Sequence, residues 1–127
     1  MTGTKKRILV VDDELMITGI LNTFLGGTGA YEVQVENHAT KALQTARQFK
    51  PDLILLDVHM PELEGGEVAA LIREDKALKD TPIVFLTALI QRGEVRQSGG
   101  IIGGFPFIAK PLDPKMVDDT IREVLAA

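Results

Sequence analysis

The stretch Leu53-Ile54-Leu55-Leu56-Asp57 is an unbroken apolar run closed by a carboxylate. Two further runs share its form: Ile8 to Val11, followed by Asp12 and Asp13, and Ile83 to Leu86, followed by Thr87. Runs this short, apolar at every position, suit strands covered on both faces, as in a parallel sheet. Tyr31 to Val35 alternates apolar with polar residues instead and reads as a half-exposed edge strand. Phe105 to Ala109 contains Pro106, which has no ladder donor, so it is placed at the other edge.

Helical spacing fills the intervals. Leu15, Ile17, Ile20, Leu21, Phe24 and Leu25 recur at helical period before Gly26-Gly27, and Leu43, Ala46 and Phe49 form a stripe ahead of Pro51. Val68, Leu71 and Ile72 follow Gly65-Gly66, and a fourth helix is expected from near Ile90 to about Gln97, ended by the glycine-rich residues 99–104. That segment reads as a loop or an extended stretch. Lys115 to Leu125 supplies the last helix, with Pro114 at its first position and Val117, Ile121, Val124 and Leu125 inward.

Strand and helix alternate five times. With short links and right-handed crossovers, this predicts an α/β, flavodoxin-like (βα)5 doubly wound parallel sheet of order 2-1-3-4-5, one domain over residues 1–127.

Composition bounds the function. The chain has 127 residues, 45% hydrophobic and 25% charged, the balance of an ordinary globular domain. A net charge of −4 disfavours direct binding of nucleic acid or anionic lipid through broad electrostatics. With no cysteine, neither disulfides nor thiolate metal sites are available, in keeping with a reducing cytosol. The apolar run after Lys5, Lys6 and Arg7 stops after four residues, too short for a signal peptide, and nothing approaches the roughly 20 apolar residues of a membrane span. A cytoplasmic location is expected.

In an open α/β sheet, ligands bind beyond the carboxyl ends of the strands. The residues there are Asp12, Asp13, Asp57, Thr87 and Lys110: three carboxylates, a hydroxyl and an ammonium. Carboxylates gathered so closely repel one another unless a hard cation and a cationic side chain offset them, roles that suit Mg²⁺ and Lys110.

The motifs Val10-Val11-Asp12-Asp13-Glu14, Leu55-Leu56-Asp57-Val58-His59-Met60-Pro61 with Gly65, Phe85-Leu86-Thr87-Ala88 and Ala109-Lys110-Pro111 are each weak alone. In this order and spacing, the chain from Ile8 to Leu125 resembles the receiver domains of two-component response regulators. The resemblance implies a signalling switch that catalyses its own phosphorylation and slow dephosphorylation and is no turnover enzyme. It implies that Asp57 is the phosphoacceptor and that Asp13, Asp57 and the backbone carbonyl of His59 ligate Mg²⁺. Asp12 would act mostly through a metal-bound water. Thr87 and Lys110 would each bind a phosphoryl oxygen, with Thr87 and Phe107 as switch residues. The phosphoryl donor would be a sensor histidine kinase or a phosphotransfer protein, and the surface that responds would comprise the fourth helix, fifth strand and fifth helix. The effector is open, and no output domain is expected within these residues.

Blander readings exist for each residue. Asp12-Asp13 ahead of a helix suits N-capping, Thr87 a plain strand position, Lys110 a solvated lysine, and Phe105 and Phe107 plain core. His38 and His59 lack partners at metal-ligand spacing and read as surface histidines, with a role for His59 in tuning phosphate hydrolysis left open. Three other functions share parts of this pattern. A receiver-like module that binds partners without phosphorylation is disfavoured by the full set of site residues. An FMN carrier would need a phosphate-cradling loop where Asp12, Asp13 and Glu14 stand, and a dehalogenase-type phosphotransferase would carry its nucleophile on the first strand, spaced Asp-x-Asp.

Overall fold

The computed structural model describes residues 5–88, 101–102 and 105–126. Among these residues six strands form one sheet: β1 (Lys6–Val11), β2 (Tyr31–Glu36), β3 (Leu53–Asp57), β4 (Ile83–Thr87), β5 (Ile101–Ile102) and β6 (Phe105–Ala109). The helices among the described residues are α1 (Leu15–Gly27), α2 (Ala42–Phe49) after a 3-10 turn at Ala39–Lys41, α3 (Gly65–Glu74) and α4 (Pro114–Ala126).

The sheet order is β2-β1-β3-β4-β6-β5, and the pairs among β2, β1, β3, β4 and β6 are all parallel. This is the expected 2-1-3-4-5 order of a flavodoxin-like fold, with one addition. The two-residue β5 pairs antiparallel with β6, Ile101 opposite Pro106, so the proline strand is not bare at its outer edge along its whole length. Of the glycine-rich stretch, the described part is thus extended. The helix expected from Ile90 to Gln97 lies outside the described residues.

The apolar runs behave as their pattern demands. Every residue of β3 and β4 is buried, whereas β2 alternates toward solvent. Successive side chains point to opposite faces, which splits the core in two. Leu9, Val11, Ile54, Leu56, Ile83 and Phe85 face Ala46, Phe49, Val68 and Ile72 from α2 and α3. Ile8, Val10, Leu53, Leu55, Val84 and Leu86 face Leu21, Leu25, Val117 and Ile121 from α1 and α4.

Two helix faces differ from expectation. In α1 the buried residues are Thr18, Leu21 and Leu25, while Leu15, Ile20 and Phe24 are exposed, as is Met16. In α3, Leu71 is exposed beside buried Val68 and Ile72. A helix against a sheet buries one stripe. Both helices carry more apolar positions than that stripe holds, and periodicity cannot choose among them.

Candidate functional site

The parallel register assembles the site. Val11 pairs with Leu56, Asp57 with Leu86 and Thr87 with Ala109. The residues following these pairs therefore emerge at nearly one level: Asp12 beyond β1, Asp57 at the end of β3, Thr87 at the end of β4 and Lys110 beyond β6. Asp12, Asp57 and Thr87 are buried, and Asp13 is exposed at the rim. Carboxylate oxygens of Asp12, Asp13 and Asp57 lie within 4.8 Å of one another.

Lys110 reaches in from the far side. Its Nζ is 2.7 Å from Glu14 Oε1, 2.9 Å from Asp12 Oδ2 and 3.3 Å from Asp57 Oδ1. The lysine main chain is fixed at the same place, its amide donating to the Thr87 carbonyl at 2.8 Å. Asp12 Oδ1 accepts the Glu14 amide at 2.9 Å, and Asn37 Nδ2 donates to the Asp12 carbonyl at 2.8 Å. Asp12 Oδ2 is fully buried, and the ammonium approaches it off the direction of a good hydrogen bond.

Burial is the main reason that the Asp57 carboxyl is pushed up to about 6. The Asp12 charge adds to the rise, against the lowering by Lys110 and the His59 amide. Burial raises Asp12 as well, opposed by the Glu14 amide and Lys110. Burial alone would lower Lys110, but Glu14, Asp12 and Asp57 outweigh it and hold the ammonium above its ordinary value. The cluster is short of positive charge. Its donors are all oxygens, at least two of them from buried carboxylates, and one buried oxygen lacks a hydrogen-bond donor, a set that suits a hard divalent cation.

The segment after Asp57 is drawn tight: the Val58 amide donates to the Leu86 carbonyl at 3.0 Å, and the Gly65 amide to the Val58 carbonyl at 2.7 Å. His59 and His38 are exposed, facing Glu64 at 2.7 Å and Glu62 at 3.6 Å. Phe107 is half-buried and packs with Phe105 against the same core cluster, as strand alternation requires. The sequence therefore located the carboxylates, Thr87 and Lys110. It offered no signal for Asn37, or for Glu14 as a lysine partner.

The family model described as the response regulator receiver domain matches residues 8–122. The chain belongs to this family. The receiver is 42% identical over 127 residues to a probable transcriptional regulator, ycf27, of Pyropia yezoensis, across 98% of this chain and 49% of that protein. It is 37% identical over 120 residues to the alkaline phosphatase synthesis transcriptional regulatory protein PhoP of Bacillus subtilis, across 94% and 48%. The chain thus spans about half the length of the curated relatives it matches. Among solved structures, the receiver superposes on the chemotaxis protein CheY4 of Vibrio cholerae with a TM-score of 0.82 at 30% identity, covering 95% of this chain and 99% of that one. No helix of the described residues is long and apolar enough to cross a membrane.

Proposed function

We propose that this receiver is a phosphorylation switch in which Asp57 accepts a phosphoryl group from the phosphohistidine of a sensor histidine kinase or a phosphotransfer protein. The observation that carries the reading is the placement of the buried Asp57 carboxylate, within 4.8 Å of Asp12 and Asp13 oxygens and 3.3 Å from the Lys110 ammonium. A nucleophilic carboxylate, an acidic cluster fit for a cation and a cationic side chain are what phosphoryl transfer needs, since its catalysis is mainly positioning and charge stabilisation.

Asp12, Asp13, Asp57 and the His59 carbonyl would hold Mg²⁺, which when bound supplies positive charge to a phosphoryl oxygen. The ionised Asp57 oxygen attacks phosphorus in line with the donor. The bond from phosphorus to Asp57 forms as that to the donor breaks, and the leaving group takes the electron pair. Lys110 binds a peripheral oxygen, and Thr87, buried at the end of β4, binds another. The acyl phosphate then hydrolyses slowly, so the chain is a self-modifying switch and not a turnover enzyme.

The readout is a shift between two conformations, biased by Thr87 moving toward the phosphoryl group and Phe107 turning inward. The responding surface comprises β6 and α4. Residues 1–127 act as one receiver unit, in the cytoplasm, with no direct contact to nucleic acid.

Intact mass after incubation with acetyl phosphate tests the reading. One added phosphoryl group that requires Mg²⁺ and is lost in Asp57→Asn is expected. Absence of any adduct would replace the switch by a phosphorylation-independent binding module.

A further inference from the structure

Glu14 stands at the N-cap of α1, yet its side chain makes no capping hydrogen bond. It reaches across the mouth of the site to Lys110 Nζ at 2.7 Å, the shortest of the lysine's three carboxylate contacts. The Glu14 main chain is pinned from below, its amide donating to Asp12 Oδ1 at 2.9 Å. The carboxylate is thereby held over the ammonium by the residue that forms the floor of the cluster.

An ammonium has three donors. Here two of them go to Glu14 and Asp57, and the Asp12 oxygen stands 2.9 Å away off the hydrogen-bond direction, so a phosphoryl oxygen that approaches the ammonium from solvent meets the Glu14 carboxylate first. Asp12 and Asp57 are walled in, with side chains 0% and 5% exposed, whereas Glu14 is 56% exposed. Glu14 stands on the solvent side, where a donor arrives, and can be rehydrated as it lets go. Releasing it costs less than releasing either buried partner, because an exposed ion pair in water is weak.

We propose that Glu14 is a positioning residue that parks Lys110 in the unphosphorylated receiver and limits how readily the lysine reaches an incoming phosphoryl oxygen. The inference rests on the phosphoacceptor reading of Asp57. Contact between Lys110 and Glu14 belongs to the resting state; contact between Lys110 and the phosphoryl oxygen replaces it. Loss of the Glu14 carboxylate leaves the ammonium hydrogen-bonded to Asp57 and beside Asp12, with its solvent side open.

The test compares the whole chain with Glu14→Gln and Glu62→Gln. Glu62 is the control for net charge. It lines a groove with Asp13 at the same mouth but faces His38, not Lys110. Initial rates of phosphorylation by acetyl phosphate with Mg²⁺, followed by intact mass, are expected to rise about two- to fivefold in E14Q and to stay at the native value in E62Q. Nitrogen-15 spectra of the lysine ammonium groups, recorded without any phosphodonor, are expected to show the Lys110 signal moved in E14Q and unmoved in E62Q. Thermal melts of E14Q are expected to match the native chain, since the side chain caps nothing. An E14Q rate equal to that of E62Q, or below the native rate, overturns the inference while leaving the switch intact. A native chain that takes no phosphoryl group overturns both.

Discussion

Gly65 lies against the backbone of Asp57 so closely that a Cβ at Gly65 would sit 2.3 Å from the Asp57 carbonyl oxygen and 2.8 Å from Val58 Cα. The obstacle is main chain, so no side-chain rotation relieves it. Gly65→Ala is expected to lower stability by about 1–3 kcal/mol, the cost of overpacking, and to slow phosphorylation by displacing the segment that carries the acceptor. Gly66, with nothing within 4 Å of its hypothetical Cβ, is the comparison. Gly66→Ala is expected to be neutral or to stabilise by about 0.5–1 kcal/mol through helix propensity. Urea unfolding of both variants checks the contrast.

Without Mg²⁺, Asp57 contributes a pH dependence of definite sign. Its folded value of about 6 exceeds the ordinary 3.8, so the native state binds the proton more tightly than the unfolded chain. The associated stability is present in full below about pH 4 and is lost as pH rises through 6. Melting temperatures of the native chain and of Asp57→Asn, measured from pH 4 to 7.5, are expected to diverge across that window, with the variant the more stable at neutral pH. Added Mg²⁺ is expected to raise the melting temperature of the native chain more than that of the variant.

Lys110 is the counter-charge of the cluster, 2.9 Å from an Asp12 carboxylate that has no exposure to solvent. Lys110→Met keeps the aliphatic stem and removes the charge. Stripping one partner from a buried pair costs about 3–5 kcal/mol in general, and protonation of Asp57 would soften it here. A loss on the order of 3 kcal/mol at pH 7.5 is expected by denaturant unfolding, partly restored by Mg²⁺.

Tyr31 is the chain's single tyrosine, so its ionisation can be followed without ambiguity. Its hydroxyl donates to Asp118 Oδ1 at 2.6 Å, joining β2 to α4, and Arg122 stacks over the ring while pairing with the same aspartate. Burial, reinforced by Asp118, pushes the phenol up to about 12. The raised value means that this stabilisation is complete below pH 10 and disappears as pH climbs from 10 to 12. Phenolate absorbance is expected to appear near pH 12 in the native chain and at lower pH in Asp118→Asn.

The sequence by itself determined the five parallel strands, their order and the principal residues at their carboxyl ends. Each of these follows from local pattern: an apolar run that must be covered on both faces, a polar residue closing it, and crossovers that leave few topologies. The site was legible because parallel pairing brings strand ends to one level, so Asp12, Asp57, Thr87 and Lys110 could be placed together from their positions in four separate runs.

Tertiary structure alone decided the rest. Which apolar residues of α1 turn inward depends on the rotation of the helix over the sheet, and so Thr18 is buried while Leu15 and Ile20 face solvent. The two-residue β5 beside Pro106 is a pairing that no property of Ile101–Ile102 announces. Glu14 on Lys110 and Tyr31 on Asp118 join residues 96 and 87 positions apart. Such pairs depend on side chains from distant elements converging at one point in space, a geometry that exists only once the sheet has fixed its register and the helices have docked.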